Sequence, residues 1–87
     1  MERKQVYAAI DSERDYQDKM SADPTRPDMN ENMSNGDIIL AIQHNLNKAS
    51  SSWYANSNPH EDAMNYIRKI AALCVKAGEK NGMTARQ

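Results

Sequence analysis

The sequence predicts an all-α fold in which a short N-terminal helix and a loop precede an antiparallel helical hairpin. Three stretches space their apolar residues as helices do, and two of them start with clear capping signals. Only a few residues separate the last two stretches, so those helices must run antiparallel. We expect one domain over residues 1–87, with helices at about 2–20, 35–56 and 59–81 and a loop at about 21–33.

The first helix has an apolar face and an acidic face. Tyr7 and Arg14 project from the flank beside Ile10, seven residues and about 10 Å apart along the axis. A phenol ring and a guanidinium in line could bind a base and a phosphate. Alternatively, they are an ordinary tyrosine at the boundary of the apolar face and a solvated arginine. The apolar face comprises Val6, Ala9, Ile10, Tyr16 and Met20, and the acidic face Asp11, Asp15 and Asp18.

The loop at 21–33 holds two of the three prolines and has no hydrophobic period. Loops longer than about 12 residues are uncommon in compact domains and tend to be functional or disordered. Thr25 and Arg26 lie between Pro24 and Pro27, which stiffen that tip. An ordered lid over a ligand and a plain tether both fit this composition.

The second helix is predicted to bury one face. Ser34 and Asp37 form a capping box at its start. Leu40 and Tyr54 lie off the apolar stripe, and we interpret them as subunit contacts. The stripe is about 100° wide and consists of Ile38, Ile39, Ile42, Leu46, Ala49 and Trp53.

The third helix has the clearest boundaries. Asn58 is the expected N-cap, Pro59 suits the first helical position, and Glu61 completes a capping box. Gly82 ends the helix because glycine accepts the left-handed conformation of a C′ residue.

The apolar arc of this third helix spans roughly 200°, about twice the stripe that one partner covers. One helix of the same chain can cover one side, so something else must cover the rest, and this predicts an oligomer. Cys74 lies within the arc and is expected to be a buried, inert thiol. The arc comprises Ala63, Met64, Ile67, Ile70, Ala71, Leu73, Cys74, Val75 and Ala77.

Arg68 falls at the edge of this arc. Its stem could pack while the guanidinium reaches water. Alternatively, the guanidinium lies in a subunit interface and binds an anion there, for which its planar set of N–H donors is well suited.

Composition limits the classes of function. The chain has 39% hydrophobic residues, no Phe and one Trp, so its core is poor in bulk and an oligomer would relieve the shortage. A net charge of −1 argues against sequence-independent binding of polymeric nucleic acid, which needs many phosphate contacts. A small anionic ligand, held by a few Arg and Lys residues, remains compatible with this charge.

The single cysteine excludes a disulfide framework or a zinc ligand set within one chain, which is consistent with a reducing cytosol. No apolar run has the length of a signal peptide or a membrane span. We expect a cytoplasmic protein without membrane contact.

Motifs for catalysis are lacking in the sequence: we find no Gly-rich phosphate loop, no Cys/His cluster and no nucleophile motif. His44 and His60 are isolated and are interpreted as surface residues. The aspartate row of the first helix could hold magnesium beside phosphates, as in all-helical nucleoside triphosphate pyrophosphatases. Those enzymes pair acids from two facing helices, however, so a solvated acidic face is the preferred interpretation. We expect no enzymatic activity and no cofactor.

Three segments carry a resemblance to a known family: YAAIDSERDYQDKM, SNGDIILAIQHNLNKASSSW and YIRKIAALCVKAGEKNG. Together they cover nearly the whole chain. They resemble the phage anti-CBASS cyclic-oligonucleotide sponges, in the form found in T-even bacteriophages.

The resemblance implies a homohexamer of short helical subunits in the cytoplasm of an infected bacterium. Such proteins sequester cyclic dinucleotides between protomers and cyclic trinucleotides at separate sites, without cleaving them. They thereby block activation of the CBASS effector. Residue by residue, the resemblance implies that Tyr7 stacks on a base and that Arg68 serves the trinucleotide. Lys19 is the nearest match to the family's phosphate-binding lysine, and Arg26 is the other candidate.

Two other classes of function remain open. One is a small protein–protein adaptor that engages a host protein through Leu40 and Tyr54. The other, less favoured, is a magnesium-dependent nucleotide hydrolase that uses the aspartate row.

Overall fold

The computed structural model describes residues 1–25, 32–55 and 58–87, and these residues form three helices and no strand. The predicted all-α class is therefore confirmed. Each helix begins and ends within about one residue of its predicted bounds. The helices are α1 (Arg3–Ser21), α2 (Asn35–Ala55) and α3 (Pro59–Asn81).

Helix α3 lies at the centre and packs against both of the others. Its last residue, Asn81, places Nδ2 2.6 Å from Oδ1 of Asn35 at the start of α2. Lys80 donates to the carbonyl oxygen of Met33, just before α2 begins. The end of α3 thus meets the start of α2, as an antiparallel hairpin requires.

Helix α1 crosses α3 instead of running along it. Arg68 Nε donates to Glu13 at 2.8 Å, and Arg14 Nε donates to Glu79 at 2.9 Å. These neighbouring residues of α1 thus reach positions of α3 that are eleven residues, or about 16 Å, apart. Among the described residues, α1 and α2 make no close backbone approach to each other.

The predicted capping of α2 is confirmed, whereas that of α3 differs. Asp37 Oδ2 accepts from the Ser34 amide at 3.0 Å, and Ser34 Oγ accepts from the Asp37 amide at 3.1 Å. Asn58 makes no side-chain cap. The side-chain Nδ2 of Asn58 instead donates to Glu61 Oε2 at 2.7 Å, so the two side chains bond to each other. Gly82 ends α3 with a φ of 79°, as expected for glycine.

The core is thin, and half of its buried residues are polar. Four hydrophobic residues of the described chain are buried, and so are four polar or charged ones. The hydrophobic set lies where α2 and α1 meet α3, and three of the polar residues belong to α1. The buried residues are Ile38, Ala49, Ala72 and Leu73, together with Glu13, Arg14, Gln17 and Lys76.

The predicted apolar face of α1 is only partly used. Val6 and Tyr16 remain 42% and 49% exposed, while Glu13, Arg14 and Gln17 face α3. The reason is that α1 packs on the polar edge of α3, where Arg68 and Glu79 offer charged partners. This rotates the buried face of α1 toward its polar residues.

Much of the apolar arc of α3 therefore stays uncovered within one chain. Helix α2 covers one side of the arc, and α1 packs outside it. Cys74, expected to be buried, is exposed for this reason. Half of the α2 stripe is exposed as well. We call these exposed residues of the hairpin the apolar face: Ile39, Leu46 and Trp53 of α2 and Met64, Ile67, Cys74 and Val75 of α3.

Candidate functional site

Tyr7 presents its ring to solvent. The side chain is 63% exposed, and all of residues 1–8 are exposed because the first turns of α1 extend beyond the contact with α3. A tyrosine in this position is available for stacking on a planar ligand.

Arg14 does not project beside Tyr7 into solvent, in contrast to the predicted pair. Its side chain is 8% exposed, and its donors reach Glu79 at 2.9 and 3.1 Å and Asp18 at 2.8 Å. Burial lowers the pKa of Arg14, but the hydrogen bonds to Glu79 and then Asp18 outweigh it, so the pKa lies above its ordinary value. Because its side chain is buried and already bound to two carboxylates, Arg14 is not presented to a ligand in solvent.

Of the two candidates for binding a phosphate, Lys19 and Arg26, the structure describes Lys19. Lys19 is exposed in the last turn of α1. It lies twelve residues, or about 18 Å, from Tyr7 along the axis and on a different side of the helix. One chain therefore does not bring these two side chains together. Arg26 lies outside the described residues.

Arg68 joins α3 to α1. Its Nε donates to Glu13 at 2.8 Å, and its Nη1 donates to Asn65 at 2.9 Å. The Arg68 side chain is 37% exposed and that of Glu13 only 7%. A shallow depression of about 360 Å³ lies beside it, lined also by Tyr16 and Lys69. Arg68 thus combines a structural ion pair with access to solvent.

The aspartate row does not gather into a ligand cluster. Asp18 is paired with Arg14 at 2.8 Å. Within residues 1–25, 32–55 and 58–87, no group of three or more His, Cys, Asp and Glu side chains is placed to hold a metal ion. His44 and His60 are both exposed, as predicted.

A cleft lies where the three helices meet, and none of the four predicted ligand residues in the described part of the chain lines it. Its volume is about 430 Å³. Helix α2 contributes His44 and Lys48, and α3 contributes Lys69 and Lys76. Lys69 and Lys76 are seven residues apart and therefore lie on one side of α3, and this could have been predicted from the sequence. Their approach to Lys48 depends on the packing of the hairpin. We call this site the basic cleft.

Two buried polar atoms on α1 lack hydrogen-bond partners among the described residues. They are Nη1 of Arg14 and Oε1 of Gln17. Gln17 also lines the basic cleft, and its Nε2 lies 3.4 Å from the carbonyl oxygen of Lys69. Polar residues thus fill the contact of α1 with α3 without satisfying every donor and acceptor.

None of the helices in the described part of the chain combines the length and hydropathy needed to cross a bilayer. Comparison of the chain with protein-family models, with curated proteins and with solved structures finds no significant match.

Proposed function

We propose that this protein binds cyclic di- and trinucleotides and sequesters them without cleavage, as a homo-oligomer that counteracts a bacterial CBASS defence. The sequence resemblance supplies the ligand class. The observation that carries the proposal is the exposed ring of Tyr7 on a part of α1 that neither other helix covers. Stacking of a base on an aromatic ring contributes about 1–3 kcal/mol.

A dinucleotide site of this kind needs a second copy of the chain. Tyr7 and Lys19 face different sides of α1, so a base and its phosphate can meet both residues only across a subunit contact. The apolar face supports such a contact, because Ile67 is 48% exposed and Trp53 is 53% exposed on the same hairpin. We propose that copies associate through the apolar face, as a hexamer in the implied assembly.

In the proposed trinucleotide site, Arg68 supplies the charged donors. Within the described part of the chain its hydrogen bonds use Nε and Nη1, which leaves Nη2 without a partner there. Several copies of Arg68 around one ligand would each meet a phosphate through charge-assisted hydrogen bonds.

Recovery of the ligand tests sequestration against hydrolysis. The purified protein is incubated with a cyclic dinucleotide, the complex is isolated, and the protein is digested with a protease. We expect intact cyclic dinucleotide to be recovered by chromatography. Recovery of a linear product would show an enzyme instead, and failure to form any complex would contradict the proposal.

Tyr7→Ala should weaken cyclic dinucleotide binding by about tenfold or more, because it removes the stacking ring. Tyr54→Ala is the matched control, since Tyr54 is also exposed, at 89%, but lies on α2. Calorimetry on both folded variants measures the effect. Equal affinity of the Tyr7→Ala and Tyr54→Ala proteins would remove Tyr7 from the site.

The adaptor remains a second candidate because of one observation. Leu40 and Tyr54 are 69% and 89% exposed, and both lie on the side of α2 that faces away from the α3 contact. A host protein could bind there. This candidate gains if cyclic nucleotides do not bind and if Leu40→Ala abolishes capture of a host protein.

A further inference from the structure

Glu13 occupies the guanidinium that the proposed function assigns to a ligand phosphate. Arg68 Nε donates to Glu13 Oε1 at 2.8 Å. This nitrogen carries a single hydrogen, so it cannot donate to a phosphate while Glu13 accepts that hydrogen. Two parallel N–H donors bind a phosphate more strongly than one does. The pair of donors formed by Nε and Nη2 is therefore closed to a ligand as long as Glu13 is bound.

The ion pair lies in a shallow depression that holds two cations and one carboxylate. Arg68 is 37% exposed there, so an anion can reach it from solvent, and the neighbouring Lys69 adds to the attraction. The anion then meets Glu13, whose negative charge repels it. An anion and Glu13 thus compete for one donor. The described lining of the depression consists of Ser12, Glu13, Tyr16, Arg68 and Lys69.

Release of Glu13 has a consequence for the position of α1. Glu13 is 7% exposed, and Arg68 is the one cation of the described residues within ion-pair distance of it. A buried carboxylate that loses its cation is strongly unfavourable. When a phosphate takes the Arg68 donor, Glu13 must therefore move toward water, and this requires a shift of α1 away from α3.

The contact between α1 and α3 is suited to such a shift, because it is polar and incompletely satisfied. Besides Glu13, the buried side chains of α1 are Arg14 and Gln17. Arg14 is bound to Glu79 at 2.9 and 3.1 Å, but its Nη1 and the Oε1 of Gln17 have no partner among the described residues. Unsatisfied buried polar atoms lower the stability of a contact. Less free energy is therefore needed to separate α1 from α3 than to separate a fully satisfied contact.

We propose that Glu13 is an internal competitor for the anion that binds Arg68, and that anion binding releases Glu13 and loosens α1 from α3. This inference rests on the proposed function of Arg68. Because coupling between two events is reciprocal, docking of α1 weakens anion binding by the same factor by which the anion weakens docking. Glu13 thereby links the occupancy of Arg68 to the position of the helix that carries Tyr7.

Glu13→Gln tests the competition, because glutamine has nearly the same shape as glutamate but no charge. The probe is cyclic tri-AMP, and calorimetry measures its affinity for each folded variant. We expect Glu13→Gln to bind the probe about fivefold to tenfold more tightly than the unchanged protein. The matched control is Asp15→Asn, which neutralises an exposed carboxylate two residues further along α1. The control should bind within about twofold of the unchanged protein.

Hydrogen exchange followed by mass spectrometry tests the release of α1 in the unchanged protein and needs no variant. With saturating cyclic tri-AMP, we expect the amides of α1 around Glu13 to exchange faster than without the probe. The amides of the hairpin should exchange at the same rate or more slowly. Unchanged or slower exchange in α1 would contradict the release.

The outcomes separate this inference from the proposed function. If the unchanged protein binds the probe and Glu13→Gln binds it no more tightly, the competition is wrong and the proposed function stands. An equal gain in Asp15→Asn also overturns the competition, since general repulsion between the chain and the anion would then explain the gain. Absence of binding in all three proteins overturns both the trinucleotide site and the inference.

Discussion

At the scale of single residues, Arg68 and Glu13 show how one ion pair constrains any test of ligand binding. Glu13 is 7% exposed, and Arg68 is its hydrogen-bonded cation at 2.8 Å. Removing Arg68 would leave a carboxylate buried without a counter-charge, which is more costly than losing the pair as a whole. Loss of ligand binding by Arg68→Ala alone would therefore not distinguish a binding role from a damaged fold.

We predict that Arg68→Ala lowers the free energy of unfolding by about 2–4 kcal/mol, toward the lower end because Arg68 is partly exposed. Glu13→Gln in the same chain should restore much of this loss, because a neutral amide is less costly to bury. Urea denaturation measures both values. The double variant should still fail to bind a cyclic trinucleotide. If it binds like the unchanged protein, Arg68 has only a structural role.

At the scale of secondary structure, the start of α2 depends on a charged cap. The pKa of Asp37 is held below its ordinary value by the hydrogen bond from the Ser34 amide, then by the Ser34 hydroxyl, and further by the charge of Lys80. A depressed carboxyl pKa stabilises the folded state at pH values above the unfolded pKa. This stabilisation is lost as the pH falls through the lower, folded pKa.

We predict that Asp37→Asn destabilises the protein at neutral pH and that the difference from the unchanged protein shrinks as the pH falls below about 4, the ordinary aspartate pKa. Asparagine mimics the protonated aspartate, so the two proteins should converge once Asp37 is protonated. Thermal unfolding followed by circular dichroism over this fall in pH gives the measurement. Asp15→Asn, on the exposed side of α1, is the control. A difference that stays constant with pH would contradict the role of the charge.

At the scale of the whole molecule, the three helices form two unlike surfaces. The hairpin presents the apolar face on one side, and α1 closes the basic cleft on the other. Seven apolar side chains remain at least about one-third exposed in the apolar face, while four hydrophobic residues are buried in the described chain. Exposed apolar area of this extent is typical of a protein–protein contact.

We predict that the protein forms an oligomer and that Ile67→Glu dissociates it, because a carboxylate would enter the apolar contact. Leu40→Glu is the informative comparison, since Leu40 is 69% exposed on another side of the hairpin. It should leave the oligomer intact. Light scattering with circular dichroism measures mass and folding together. A folded monomer of 9.8 kDa for the unchanged protein would contradict the prediction, and dissociation by Leu40→Glu alone would move the contact to that other surface.

The local features of this protein follow from its sequence. Helix bounds, the Ser34–Asp37 cap and the glycine stop at Gly82 depend on residues a few positions apart, so periodicity and capping rules predict them. The excess of apolar surface on α3 likewise follows from the helical periodicity of its apolar residues. Tyr7 and Arg68 were singled out by their positions on the helices, and the resemblance supplied their ligand roles, which stay predictions.

Only the tertiary structure decided how α1 meets α3. Helical periodicity indicates which residues share a side of α1. It does not indicate whether the side with Val6 and Tyr16 or the side with Glu13 and Arg14 packs against α3. The charged partners of Glu13 and Arg14 lie more than fifty residues away, so the choice depended on contacts that no local pattern contains. The same choice left Cys74 exposed. It also brought lysines of two helices into one cleft, since residues distant in sequence become neighbours only when the helices pack.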